Sequence, residues 1–545
     1  MFARLFRESD KTSDKPTVQH ARPVEVSTIL ATDPEKLFES SVRSAFKSLG
    51  FSRPRQAAGQ LQVLREKSYG PFALAKRFQN GESAGYLLGA CAASPQPDQA
   101  FTGLSRLFLR VGDTPGFYRM LSENPHATRL LIHLFGSSPP LSKILIREPD
   151  IVERLLAAGT AAIYRERGAI AEDLRRRIAT IADVGHRLGR VRRFHQEETL
   201  RIALHEIAGA SAIEDTVAQL TSLAEVIIEA TLRESFEGLI DRLEDVGVEA
   251  IDLDDLPFAV IGMGKLGGRE LGFGGDLDMI FVYEPDEARG LNHAFYTRLA
   301  QRLIRGLSMA TESGKLYEVD MRLRPSGSQG TLVVSLDAFR AYHEEKADLW
   351  ERQALIKARA ITGSRSIQKA FEDLRREYVF RRPIPENIAE QMIAMRRQLL
   401  EAMPSPHERI DIKMSPGGLV DVEFLTQYLQ LRFGAEGVME EAIFSRNTLI
   451  ALEGIADLYS AESVGTALSS LTHDYRTLRR IETRLRMSDE RGESILPADD
   501  ASLDILARRL GYQGKEAGRQ FQAELQELRE RVQSCWESVF SIRLP

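Results

Sequence analysis

Gly262-Met-Gly-Lys-Leu-Gly-Gly-Arg-Glu-Leu-Gly-Phe-Gly-Gly-Asp-Leu-Asp-Met-Ile-Phe-Val-Tyr283 is the stretch on which the fold turns. Just before it, Phe258-Ala-Val-Ile is a short apolar run closed by glycine, which predicts a buried strand. Its second half, Asp276 to Tyr283, predicts another strand. The glycines between them admit two readings. Gly262, Gly264 and Gly267 form a G-x-G-x-x-G after a strand, and Glu284 lies where a dinucleotide-binding fold places its ribose-binding acid. That fold needs a helix of several turns between the strands. Only residues 265–275 are available, and they include Gly267, Gly268, Gly272, Gly274 and Gly275. Each interior glycine lowers helix stability by about 0.8–1 kcal/mol, so the dinucleotide reading fails.

The second reading starts from Gly274-Gly-Asp-Leu-Asp278. Strand alternation puts Asp276 and Asp278 on one face and Leu277 and Met279 on the other. Two carboxylates about 4 Å apart repel by roughly 4 kcal/mol at an effective dielectric near 20. Such a pair at the head of an apolar strand calls for a cation. An all-oxygen donor set selects a hard one, Mg²⁺ or Mn²⁺. The glycines allow close approach of a phosphate and offer it N–H groups. A plain turn cap at Asp276 with a solvated Asp278 is the alternative.

Outward from this segment, a helix is predicted over 293–311, with Phe295, Leu299, Leu303 and Leu307 on one stripe. A third strand is predicted over Lys315 to Leu323. In it Glu318, Asp320, Arg322 and Arg324 share a face, so a third carboxylate and two arginines join the same edge. Three carboxylates can hold two metal ions, and two arginines an anionic substrate. Residues 34–245 and everything beyond about 335 read as helical, with breaks at Gly136 to Pro140 and Glu148-Pro-Asp. Trp350 and Trp536 are expected in the core. The fold class is therefore mainly α with an embedded α/β domain. The expected division is a mobile leader over 1–26, a helical domain over 27–205, the α/β domain over 206–375 and a helical bundle over 380–545.

Composition narrows the function. The 545 residues carry a net charge of −6, which excludes a uniformly basic nucleic-acid coat. The longest apolar runs fall short of a bilayer span, and the start of the chain lacks the apolar centre of a signal peptide. Two cysteines, Cys91 and Cys535, build no disulfide framework, and a cytoplasmic setting is expected.

The glycine–aspartate pattern with a distant third Asp resembles the DNA polymerase β-like nucleotidyltransferases. The full 262–283 string is similar to the glutamine synthetase adenylyltransferase family. So are Tyr317-Glu-Val-Asp-Met-Arg-Leu-Arg-Pro-Ser-Gly327, Trp350-Glu-Arg-Gln-Ala-Leu-Ile-Lys-Ala-Arg359, Lys413-Met-Ser-Pro-Gly-Gly-Leu-Val-Asp-Val-Glu-Phe424 and Tyr475-Arg-Thr-Leu-Arg-Arg-Ile-Glu-Thr-Arg-Leu485, in that order. The resemblance covers at least 250–540.

The resemblance implies a small mixed sheet of polymerase β-like type, and an Mg²⁺-dependent enzyme that uses ATP to adenylylate a tyrosine of glutamine synthetase. It implies that Asp276, Asp278 and Asp320 are the catalytic, metal-holding carboxylates and that Gly274 and Gly275 cradle the triphosphate. Lys265, Arg322 and Arg324 are candidate phosphate partners, each equally able to form a structural ion pair. The Lys413–Glu423 segment reads either as reaching the site or as a helix start with favourable acids. A small trimeric nitrogen-signalling protein is an implied partner. Members of this family usually carry two such modules; here a single one resembles the AMP-attaching half. Many members have Ser where this chain has Gly275. A uridylyltransferase-like enzyme and a non-catalytic scaffold stand as alternatives.

Overall fold

The computed structural model describes residues 23–74, 81–157, 164–240, 252–311, 314–403, 409–438, 440–459, 463–489 and 492–541. Most of the leader expected over 1–26 lies outside them; the first described helix, Pro23–Ala31, takes in its last four residues.

Helices fill the chain up to Ile240. Proline sits in the first turn of those beginning at Pro54, Pro97, Pro115, Pro125 and Pro139, where its missing N–H would be unused anyway. The breaks expected near 136–140 and 148–150 are present: Ser138 caps one helix and Glu148 ends it. Two long helices close this half, α1 (Val184–Ile207) and α2 (Ile213–Ile240). Leu220, Leu223, Val226 and Ile227, spaced at helical steps, are buried on α2.

Among the described residues the sheet has five strands: β1 (Phe258–Gly262), β2 (Leu277–Tyr283), β3 (Val319–Asp320), β4 (Val333–Ser335) and β5 (Arg359–Gly363). Its order is β3-β2-β1-β5, with β4 also on β2. β1 is antiparallel to β2 and β5. β3 and β4 both run parallel to β2, β3 at its start and β4 at its end. A single helical turn, α3 (Gly264–Gly267), joins β1 to the glycine loop, too short for the dinucleotide alternative. Helix α4 (His293–Ser308) buries the expected Phe295, Leu299, Leu303 and Leu307.

Two sequence expectations are corrected here. The third strand is two residues long, not nine. After Asp320 the chain turns: Pro325 lacks an N–H for a ladder, and Ser326 and Gly327 take left-handed backbone angles, φ 62° and 56°. Arg322 and Arg324 therefore do not continue a strand face. And the helical pattern beyond 335 is interrupted by β5, which completes the sheet.

The sheet is a wall between two cores. Phe258 and Val260 of β1 and Leu277, Met279, Phe281 and Tyr283 of β2 face the amino-terminal helices. Ala259 and Ile261, with Ile280 and Val282, face the carboxy-terminal ones. Those include α5 (Leu349–Ala354), α6 (Leu419–Ala435), α7 (Ser463–Ser488) and α8 (Ala517–Ser541). On α7, Leu468, Leu471, Tyr475, Leu478, Ile481 and Leu485 recur at three- and four-residue steps and are buried.

Trp350 is not a core residue; it is 41% exposed. On α5 the polar Glu351, Arg352 and Gln353 are buried instead, because Arg352 donates to the carbonyls of Val379, Arg382 and Pro383 and Glu351 closes a capping box with Asp348. Among the described residues no helix is long and apolar enough to cross a membrane. Cys91 and Cys535 are buried and free.

Candidate active site

The parallel pairing of β2 and β3 builds the site. Leu277 pairs with Val319 and Asp278 with Asp320, and the Leu277 N–H donates to the Glu318 carbonyl at 2.9 Å. Paired residues on neighbouring strands point to the same side, so the Asp278 and Asp320 carboxylates are neighbours. Asp278 shares its face with Ile280 and Val282, toward the carboxy-terminal core. Asp276 lies just before β2 and is exposed. The structure thus brings together two carboxylates in register and a third one step upstream.

Their electrostatics diverge. Burial raises the Asp278 carboxyl to about 6, and the charges of Asp320 and Asp276 push the same way; Lys413 and Arg322 pull it back. Asp320 is held below the usual carboxylate range by its bonds to Arg322, whose backbone N–H, Nε and Nη2 donate at 2.8, 2.9 and 2.5 Å. A carboxylate whose charge is disfavoured by burial and by neighbouring carboxylates, in an all-oxygen donor set, suits a hard divalent cation. Among the described residues no three acidic, His or Cys ligands converge, because Asp320 is turned onto Arg322.

The glycine loop meets the site at a residue the sequence reading passed over. Gly264 has φ +49°, and a Cβ there would lie 2.5 Å from the Asp278 Oδ2. The second glycine of the discarded G-x-G-x-x-G is required because a carboxylate occupies the space of its side chain. Gly274, at φ +60°, has open surroundings. Gly275 is different. Its N–H is committed to the Gly272 carbonyl at 3.1 Å. Behind the loop lies a cavity of about 420 Å³, lined by Gly274, Asp276, Tyr317 and His195 among others.

The three expected phosphate cations all have other partners. Lys265 turns inward, 2.5 Å from the Glu482 carboxylate; burial lowers its amine to about 8. Arg322 is bound to Asp320. Arg324 clamps its own turn, donating to the carbonyls of Met321, Gly330 and Ser328.

The Lys265–Glu482 contact belongs to a buried charge network that ties the glycine loop to the carboxy-terminal helices. Arg479 Nη1 donates to Glu482 at 2.5 Å and its Nη2 to the Glu270 carbonyl. Lys357 Nζ lies 2.6 Å from Glu270 and 4.0 Å from Glu423. Burial would raise Glu482 and Glu423, but the surrounding cations outweigh it and hold both low. In the 413–423 segment, Asp421 pairs with Arg396 and accepts the Gly417 N–H at 2.6 Å, which is structural. The charge of Lys413 instead acts on Asp278, pulling its carboxyl back toward the ordinary range.

Residues 128–374 match the family model for glutamate-ammonia ligase adenylyltransferase. They contain all five strands and all three aspartates. Residues 128–374 belong to the glutamate-ammonia ligase adenylyltransferase family. Downstream of this adenylyltransferase segment, residues 387–540 match the model for GlnD PII-uridylyltransferase. Curated relatives include an enzyme of Hahella chejuensis, 32% identical over 440 residues, covering 78% of this chain and 44% of the relative. One of Nitrosococcus oceani is 34% identical over 471 residues, covering 83% and 48%. One of Pseudomonas aeruginosa is 33% identical over 436 residues, covering 74% and 43%. All three are named bifunctional glutamine synthetase adenylyltransferase/adenylyl-removing enzymes. The chain spans a little under half the length of these adenylyltransferase relatives.

Proposed function

We propose that this chain transfers AMP from ATP to a tyrosine hydroxyl of glutamine synthetase, in the cytoplasm, in control of nitrogen assimilation. The observation that carries the proposal is the register of β2 and β3, which sets Asp278 beside Asp320 one step from Asp276. The names of the relatives support the substrate. We keep the expected division at 206 and 375 as part of this reading.

Asp276, Asp278 and Asp320 would hold Mg²⁺ or Mn²⁺, which when bound neutralises phosphate charge. The chain's own groups do the rest. Gly264 leaves room for the Asp278 carboxylate, and the open backbone at Gly274 admits the triphosphate. The tyrosine oxygen forms a bond to the α-phosphorus while the bond from that phosphorus to the bridging oxygen breaks. Pyrophosphate leaves with the electron pair. The phenol proton, held with a pKa near 10 in water, passes to Asp320 and then to solvent. The match of 387–540 to a PII-uridylyltransferase supports a trimeric nitrogen-signalling protein as a further partner. That match falls on the helical bundle and not on the aspartate strands, so it does not favour uridylyl transfer.

The test is direct. The purified chain, labelled ATP and Mg²⁺ are incubated with unmodified glutamine synthetase, and label is expected on the synthetase from the parent and not from Asp278→Asn. An unlabelled synthetase with the parent chain overturns the substrate; equal labelling by both chains overturns the site.

A further inference from the structure

The reaction proposed above leaves pyrophosphate, several negative charges, beside three carboxylates. A cation must receive it, and Lys265, Arg322 and Arg324 are each engaged elsewhere. Lys413 is not. Its Nζ makes no hydrogen bond or ion pair among the described residues, and the side chain is half-buried.

The loop that carries Lys413 is firmly placed. The Asp411 carboxylate accepts the N–H of Lys413 at 2.8 Å and of Met414 at 3.2 Å. Ile412 N–H donates to the Ser494 carbonyl, and the Lys413 carbonyl accepts from Val420 N–H at 3.0 Å, at the start of α6. Ile412 is 1% exposed, in the same core as Met263 and Ile280, which flank the contact of Gly264 with Asp278. The ammonium is therefore carried on a fixed backbone, in a loop whose Ile412 shares the core on the Asp278 side of the sheet. Its charge is felt by Asp278, Lys265 and Glu423, the last two already locked into the buried network. An unpaired ammonium held near a carboxylate cluster, supplied by the helical half of the molecule, has the chemistry of a phosphate-charge receiver.

We propose that Lys413 binds the β- and γ-phosphates of the incoming nucleotide and the departing pyrophosphate, taking the role the sequence suggested for Lys265. The inference rests on the nucleotidyl-transfer reading of the site but not on the identity of the protein substrate. The α-phosphate, which stays with the tyrosine, is not its ligand. Loss of Lys413 therefore weakens ligands that carry the β- and γ-phosphates and spares those that do not.

The experiment is isothermal titration of the full chain with pyrophosphate, ATP and AMP, each with Mg²⁺, for the parent, Lys413→Ala and Lys413→Arg, with thermal unfolding as a check on folding. Loss of one charge-assisted contact is expected to weaken ATP and pyrophosphate at least about tenfold in Lys413→Ala. AMP affinity should stay within about twofold of the parent, and Lys413→Arg should recover most of the loss. Parent-like binding of ATP and pyrophosphate by Lys413→Ala overturns the assignment, and so does an equal loss for all three ligands, which would mark a structural role. A parent that binds neither ATP nor pyrophosphate overturns the nucleotide site itself. Glutamine synthetase is absent from this assay, so a wrong protein substrate cannot imitate either failure.

Discussion

Replacing Asp278 with asparagine removes a charge that the fold holds at a disadvantage. Its carboxyl, raised from 3.8 to about 6, is ionised at neutral pH only against burial and two like charges. A raised folded-state pKa contributes stability below the unfolded value, and that contribution is lost as pH rises through about 6. Above that pH the ionised group costs the fold ~3 kcal/mol, which Asp278→Asn should return. For a chain of this size, unfolding as one unit, that is roughly 2–3 °C in melting temperature. Calorimetric melts of parent and variant from pH 4 to pH 8 provide the assay. The variant should melt higher at pH 7.5, and the gap should close toward pH 4. Mg²⁺ should raise the melting temperature of the parent at pH 7.5 and leave the variant nearly unmoved. No gap at pH 7.5, or one that persists undiminished at pH 4, would refute the electrostatic account.

Other perturbations follow from the same geometry. Gly264→Ala puts a methyl against the Asp278 carboxylate at an unfavourable φ; it should destabilise the chain by ~1–2 kcal/mol and abolish AMP transfer, read by melts and by label incorporation. Lys357→Met leaves Glu270 buried without its cation and should lower stability by about 3–5 kcal/mol in chemical denaturation; a variant as stable as the parent would mean that the pair is not a structural tie. Arg322→Ala frees Asp320, whose carboxyl should move back toward its ordinary range, and Mn²⁺ binding should tighten several-fold in titration; unchanged affinity would show that the guanidinium does not compete with the metal.

The strands that carry the carboxylates were legible because they obey short-range rules. Alternation from Asp276 to Tyr283 and the apolar run at Phe258 each declare a strand locally. The third strand was over-read because acid and base at every second position also suits a turn, and only Pro325 and the left-handed Ser326 decide between them. Lys265 looked like a phosphate ligand from its place in a glycine loop, but its partner Glu482 lies 217 residues away in sequence. Glu270, Lys357, Glu423 and Arg479 were opaque for the same reason: each reads alone as an ordinary helix or loop charge. Gly264 was visible in the sequence, but only as part of a motif whose helix could not form; its partner is a carboxylate and not a dinucleotide.

The strand bearing Asp278 has no side of its own. One row of its residues is gripped by the amino-terminal helices and the alternate row by the carboxy-terminal ones, like a diaphragm clamped between two chambers. The backbone that carries the Asp278 carboxylate is therefore packed from both halves of the molecule at once.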